Sequence, residues 1–352
     1  MSRVSSPASP PLTEWLPEEL VTRLAPQEVP AYRARQLFAW IHRRGVEAFA
    51  AMTDLPASLR AAWTEQYSLT TLAVCARAAA ADGSVKYLLA CADGAQIETV
   101  YLPDAPRGTV CVSTQVGCPF GCRFCATGQS GFTRNLTAAE IVAQVYRVRT
   151  HLAPGQRVTN IVYMGMGEPL ANYAAVLRSV QLLLHPQGMN LAQRHITIST
   201  VGLTPGIDRL AAEGLQLNLA LSLHAPTQAG RLALLPIAAT HPLDEVMGAV
   251  RRYVEQTGRK VTFEYTVVPG VNDHPAALDA LAALVRGLPA LVNVIPLSPT
   301  PDYAPSQINV QDARHSAEAV VEGLRRRRVE VALRRSRGQE VGGACGQLRR
   351  RR

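Results

Sequence analysis

Apolar positions fall with helical spacing over the first seventy residues, and after residue 109 they gather into short runs divided by polar loops and longer amphipathic stretches. Positions 16–24 lead into a proline-bounded turn, and 34–43 carries Leu37, Phe38, Trp40 and Ile41, so 14–70 is predicted to be a small helical accessory domain. Residues 71–108 alternate like short strands with turns at Asp82-Gly83 and Asp93-Gly94, which predicts a connecting β-hairpin region. From 109 onward a strand–loop–helix unit repeats. Strands are predicted over 109–113, 158–164, 195–199, 216–223, 260–268 and 291–297, and helices begin near Thr137, Asn172, Thr204, Pro242, His274 and Gln311. Thr137 and Glu140 have capping-box spacing, and Thr204 before Pro205 reads as an N-cap with proline at the first helical position. Six βα units in series imply a parallel sheet with right-handed crossovers, too few for the closed eight-fold barrel. The predicted fold is α/β: a partial six-unit (βα) barrel over 109–334, a last strand at 329–333, and a C-terminal tail over 335–352.

A chain of 352 residues suits a barrel-sized domain plus a small accessory one. With 47% apolar and 18% charged residues, wholesale disorder is excluded. No apolar run approaches the ~20 residues needed to cross a bilayer. The start, MSRVSSPASPPLTEW, lacks the order of a secretory signal and reads as a disordered leader over 1–13 of a cytoplasmic protein. The net charge of +9 is concentrated: positions 325–352 hold eleven Arg against Glu330 and Glu340, which accounts for the whole excess. Such an end suits contact with a polyanion, arginine matching phosphate through its planar fork. Only Lys86 and Lys260 are lysines, so the chain also prefers arginine generally, and a solvated tail is the competing explanation.

Seven cysteines, an odd number, do not make a secreted disulfide framework. Cys118-Pro119-Phe120-Gly121-Cys122-Arg123-Phe124-Cys125 has the spacing C-x3-C-x2-C. Zinc normally takes four ligands, and no histidine lies nearby, although Cys111 could serve. A cubane held by three cysteines leaves one iron without a protein ligand, free to take the amino and carboxylate groups of a molecule such as S-adenosylmethionine (SAM). Chemistry in βα barrels sits in the loops after the strands. The cysteine run follows the first strand, Gly165-Met166-Gly167-Glu168-Pro169 the second, Ser199 to Gly202 ends the third, Ser222-Leu223-His224 the fourth, and Asn293 to Pro299 the sixth.

These motifs, with Cys111 to Cys118, Gly131 to Thr137 and Ala344-Cys345-Gly346-Gln347-Leu348, resemble the RlmN-type radical-SAM RNA methyltransferases over about 14–348. The resemblance implies a 4Fe-4S cluster on Cys118, Cys122 and Cys125, and SAM contacts at Gly167, Glu168, Ser199, Ser222, Leu223 and His224. Ser298 stands where the family usually has Asn, and Gln339-Glu340 departs from the family's more usual Asp-Ile. Glu98 corresponds to the family's acidic proton acceptor, Cys345 to its methyl carrier and Cys111 to the carrier's partner. Taken alone, Glu98 reads as a solvent-facing strand residue and His224 as a core histidine, while Cys75 and Cys91 read as structural.

As that family works, two SAM molecules are used per turnover. One methylates Cys345, and the other yields the adenosyl radical that takes a hydrogen from the methylthio group. The carbon radical adds to carbon 2 of an adenine, the adduct loses its ring proton, and Cys111 releases product by bonding to the Cys345 sulfur as a disulfide. Implied partners are 23S rRNA in the peptidyl-transferase region, tRNA beside the anticodon, and an electron donor such as flavodoxin or ferredoxin, acting on a monomer with no membrane contact. The basic tail would deliver Cys345 where phosphates are held. A Cfr-type carbon 8 methyltransferase and a non-catalytic iron–sulfur RNA-binding protein are the alternatives.

Overall fold

Prolines open the helices of the N-terminal layer. A computed structural model describes residues 11–69, 72–300 and 309–349. α1 (Pro17–Leu24) has proline at its first position, and α2 (Ala31–Phe38) and α3 (Ala57–Gln66) follow Pro30 and Pro56 at their N-caps. α2 runs on into one π-helical turn, Ala39–Arg43. Positions 12 and 13 of the expected 1–13 leader are built into the fold. Leu12–Glu14 forms a 3-10 turn with Leu12 and Thr13 buried, and the Glu14 carboxylate accepts the Ala139 N–H at 3.1 Å. An apolar side chain and a helix-capping acid thus dock this segment, while 1–10 lies outside the described residues.

Four antiparallel strands follow: β1 (Ala73–Ala79), β2 (Val85–Ala90), β3 (Gln96–Asp104) and β4 (Arg107–Cys111). The region expected to be a connecting hairpin is therefore a meander that continues the main sheet. β5 (Gln115–Gly117) and β6 (Phe132–Asn135) make a separate ribbon around the cysteine run and the short α4 (Ala126–Gln129). α5 (Ala138–Arg149), β7 (Asn160–Tyr163), α6 (Tyr173–Leu184), β8 (Ile196–Thr200), α7 (Thr204–Ala212) and β9 (Asn218–Ser222) continue the alternation. α8 (Gln228–Leu234), α9 (Leu243–Thr257), β10 (Val261–Val267), α10 (Pro275–Val285), β11 (Ala290–Pro296), α11 (Val310–Arg326) and β12 (Val331–Leu333) complete it. The sheet order is β1-β2-β3-β4-β7-β8-β9-β10-β11-β12, parallel from β4 onward. This is the partial barrel expected, extended by the meander at one edge. One continuous core of buried residues runs from Leu12 to Leu348.

The Thr137–Glu140 capping box forms, with Glu140 N–H to Thr137 Oγ1 at 3.1 Å and Thr137 N–H to Glu140 Oε2 at 2.9 Å. Thr204 does not cap. Leu203 is the N-cap, because the Thr200 hydroxyl already takes the Gly202 and Leu203 N–H groups at 3.1 and 3.4 Å. α8 is too short for its periodicity to show in the sequence. Arg325 to Arg328 close α11 before β12, at the end of the barrel opposite the strand C-termini, and Arg327 pairs with Asp279 at 2.7 Å. The expectation that this run accompanies Cys345 is corrected: β12 separates them, and among the described residues Arg334, Arg335, Arg337 and Arg349 are the arginines on the Cys345 side. Among the described residues no helix is long and apolar enough to cross a membrane.

Accessory layer and barrel meet at His42, fully buried with Nδ1 2.6 Å from the Tyr146 hydroxyl. Burial, reinforced by His185, pulls the His42 pKa from 6.5 to about 3. Between those values the unfolded chain binds a proton that the folded chain refuses. This contribution is therefore complete above pH 6.5 and lost as pH falls towards 3, at about 1.4 kcal/mol per pH unit. Urea unfolding at pH 7.5 and 5.5 is expected to show lower stability at 5.5, with a flatter dependence in His42→Asn. An identical dependence in the variant would contradict this assignment.

Candidate active site

The loops after the parallel strands converge on one cavity. It is lined by Cys118, Cys122 and Cys125, by Gly167 and Glu168, by Ser199, Ser222 and His224, and by Ser298 and Cys345. Leu223 is fully buried beside it, and its N–H and that of His224 both reach the Glu264 carbonyl, at 3.0 and 3.2 Å. Glu98 and Cys111 do not line this cavity. Cys111 lines a second one, together with Cys345, Arg334 and Met164. Cys345, Arg334 and Met164 border both cavities.

Local chemistry builds the shelf. Gly167 has φ of 100°, and a Cβ there would lie 2.6 Å from that of Gln115, so a side chain at this position would be both strained and obstructed. Gln115 in turn accepts the Glu168 N–H at 2.9 Å. Both Glu168 oxygens are engaged, by the Leu170 N–H at 3.0 Å and the Val201 N–H at 2.8 Å, yet burial raises its pKa to about 7. His224, at φ of 57°, accepts the Thr266 N–H on Nδ1 at 3.0 Å, so its proton resides on Nε2. Burial, followed by Arg231, lowers its pKa to about 3 and keeps the imidazole neutral. Phe124 of the cysteine run meets it edge-on, ring centroids 4.7 Å apart.

The donor set suits a cluster. Burial comes first, and crowding by Cys118 and Cys125 second, in pushing the Cys122 thiol well above its usual value, and burial lifts Cys118 to about 12. Three such thiols give up their protons together only with strong positive charge in their midst. Among the described residues no three such side chains converge on a single-ion site. A cubane asks instead for one thiolate at each of three separate irons, which fits a loop that spreads its cysteines along a cavity wall.

The tail is fastened to this wall. Ala126 N–H donates to the Gly346 carbonyl at 2.7 Å, and the Thr127 hydroxyl to that of Leu348. Gly338 N–H reaches Asp82 at 2.9 Å, and Arg337 pairs with Asp104 at 2.9 Å, docking the tail on the meander. Gln339 donates to the Ser298 hydroxyl at 3.2 Å, so two positions that depart from the family pattern touch each other. Glu98 is not the solvent-facing residue its alternation suggests. It is 1% exposed, paired with Lys86 at 3.1 Å, and accepts the Arg349 N–H at 3.0 Å. The disulfide implied for Cys111 and Cys345 is not formed, and all seven cysteines are free thiols. In the scheme that implies it, this bond forms only as product leaves.

Arg334, Glu264 and Lys86 escaped the sequence reading. Arg334 pairs with the Glu264 carboxylate at 3.6 Å and lines both cavities beside Cys345, one of them with Cys111. It directly follows the last strand, the position rule that located the other site residues. Lys86 is one of two lysines in an arginine-rich chain, a signal in itself. Lys86→Met is expected to leave Glu98 buried without its cation and to cost about 3–5 kcal/mol in urea unfolding. The Lys86→Met/Glu98→Gln double variant is expected to recover part of that loss. A double variant no more stable than Lys86→Met would contradict the pairing.

Residues 112–282 match the Radical SAM superfamily model, and 17–68 match the ribosomal RNA large subunit methyltransferase N-terminal domain. The probable dual-specificity RNA methyltransferase RlmN of Thermus thermophilus is 47% identical over 346 residues, 98% of this chain and 94% of that protein. The dual-specificity RNA methyltransferase RlmN of Syntrophobacter fumaroxidans is 44% identical over 318 residues, 90% of this chain and 92% of that protein. The crystal structure of a radical SAM methyltransferase from Sphaerobacter thermophilus superposes with a TM-score of 0.89 at 47% identity, covering 96% of this chain and 99% of that one.

Proposed function

The chain belongs to the RlmN family of dual-specificity RNA methyltransferases, and from this premise we propose that it methylates carbon 2 of adenosine in 23S rRNA and in tRNA, carrying the methyl group on Cys345. Carbon 2 lies between two ring nitrogens and is too electron-poor to attack a methyl donor. The 4Fe-4S cluster and SAM of this family supply, when bound, the one-electron chemistry that such a carbon requires.

The chain's own residues divide the remaining work. Cys118, Cys122 and Cys125 would hold the cluster, and Gly167, Glu168, Ser199, Ser222, Leu223, His224 and Ser298 form the SAM shelf. On that shelf Glu168 is an acceptor and His224 Nε2–H a donor. Cys345 accepts a methyl group on its sulfur, beside the Arg334 guanidinium that pairs with Glu264. Cys111 attacks the Cys345 sulfur to free the product. The ring proton has two candidate acceptors. Glu98 is bound to Lys86 and the Arg349 N–H, so reaching substrate requires the tail to shift, whereas Cys111 already shares a cavity with Cys345. A flavodoxin or ferredoxin in the cytoplasm supplies electrons to a monomer.

The observation that carries this reading is the position of Cys345, which borders both the cavity of the cysteine run and the cavity of Cys111. Nucleoside mass spectrometry of rRNA and tRNA from a deletion strain tests it. Loss of 2-methyladenosine, restored by the gene, is expected. Loss of 8-methyladenosine instead would move the assignment to carbon 8.

A further inference from the structure

Arg231 of α8 is fully buried. Its guanidinium donates to the carbonyls of Ser222 (3.1 Å), Leu223 (2.9 Å) and Val201 (2.8 Å), which ties together the ends of β8 and β9. Its Nε is buried with no hydrogen-bond partner. Among the described residues no carboxylate pairs with it, in contrast to Arg334 with Glu264. A buried cation without a counter-ion is costly, and three carbonyl dipoles spread that cost without cancelling it.

The helix that carries Arg231 is fastened to the cysteine run. Leu234 at the end of α8 takes the Arg123 N–H on its carbonyl at 3.0 Å, and Leu234 and Leu235 share one buried apolar cluster with Cys122 and Phe124. Burial draws Arg231 down to about 10, and Cys122 in its thiolate form, the form that would hold a cluster, acts in the opposite direction. A cubane with three thiolates is net negative and gains one more negative charge on reduction. A fixed cation in a low-dielectric wall favours that reduced form.

We propose that Arg231 is a positioning residue whose charge is the built-in counter-ion of the cluster on Cys118, Cys122 and Cys125, setting how readily that cluster is reduced. This rests on the cluster reading above. The alternative is that Arg231 is only a clamp on three carbonyls, for which its charge is incidental.

The full chain is reconstituted anaerobically with iron and sulfide as wild type, Arg231→Gln, Arg231→Met and Arg231→Lys. Far-ultraviolet dichroism, iron content and midpoint potential by electron paramagnetic resonance are then measured. A neutral variant is expected to disfavour the reduced cluster about tenfold, a potential about 59 mV lower for a one-electron couple, with Arg231→Lys recovering most of the shift. Two folded neutral variants that take up no iron, beside a lysine variant that does, would also support the counter-ion role. A neutral variant that loads iron at the wild-type potential overturns it. So does a lysine variant shifted as far as the neutral ones, failure of all three variants to load iron, or neutral variants that do not fold without the cluster. Failure of the wild type to bind iron would instead sink the cluster reading itself.

Discussion

Cys345→Ala is expected to leave RNA unmethylated and free of protein, whereas Cys111→Ala is expected to leave protein covalently attached to RNA. The two residues are assigned different steps. Without Cys345 there is no carrier, so no carbon reaches the base. Without Cys111 the carrier still loads and still bonds to carbon 2, but nothing attacks the Cys345 sulfur to release it. The attachment should survive denaturant, map to the Cys345 peptide and vanish in the double variant. Both losses of product are expected to be complete within detection. Each variant should retain its iron–sulfur absorbance, since neither residue belongs to the Cys118–Cys125 run. Adduct-free behaviour in both single variants would contradict the division of labour, as would an adduct at another residue.

The second large effect concerns that run. Cys118→Ala, Cys122→Ala and Cys125→Ala are each expected to lower bound iron to background and abolish methylation, because two thiolates hold a cubane poorly. Cys75→Ala provides the control, since Cys75 is exposed and lies outside both cavities. Iron and sulfide analysis beside a methylation assay checks both. Full iron in any of the three would return the site to another ligand set.

The barrel was legible because each parallel strand is a short apolar run followed by an unusual loop, and strand polarity places those loops at one end. That rule picks out Gly167, Glu168, Ser222 and His224, which line one cavity. Partners set by non-local packing were not legible. Glu98 sits in an alternating strand, and only the meander, Lys86 and the tail together make it buried. The Gln339–Ser298 contact joins loops 41 residues apart, so neither position announces the other. The basic C-terminal segment looked like one surface, but β12 passes through it and sends its arginines to opposite ends of the barrel. Leu12 and Thr13 read as leader because two buried residues are too few to make a pattern.

Isotope counting tests the methyl route through Cys345 most directly. The reconstituted protein is given SAM bearing a fully deuterated methyl group, with a reductant and unmodified RNA, and the product nucleoside is sequenced by mass. One deuterium is removed while the methyl group is still on Cys345, so the predicted product is adenosine with a carbon 2 methyl retaining two deuteriums, the third appearing in 5′-deoxyadenosine. A methyl group that keeps all three deuteriums, or one placed on carbon 8, would contradict the account.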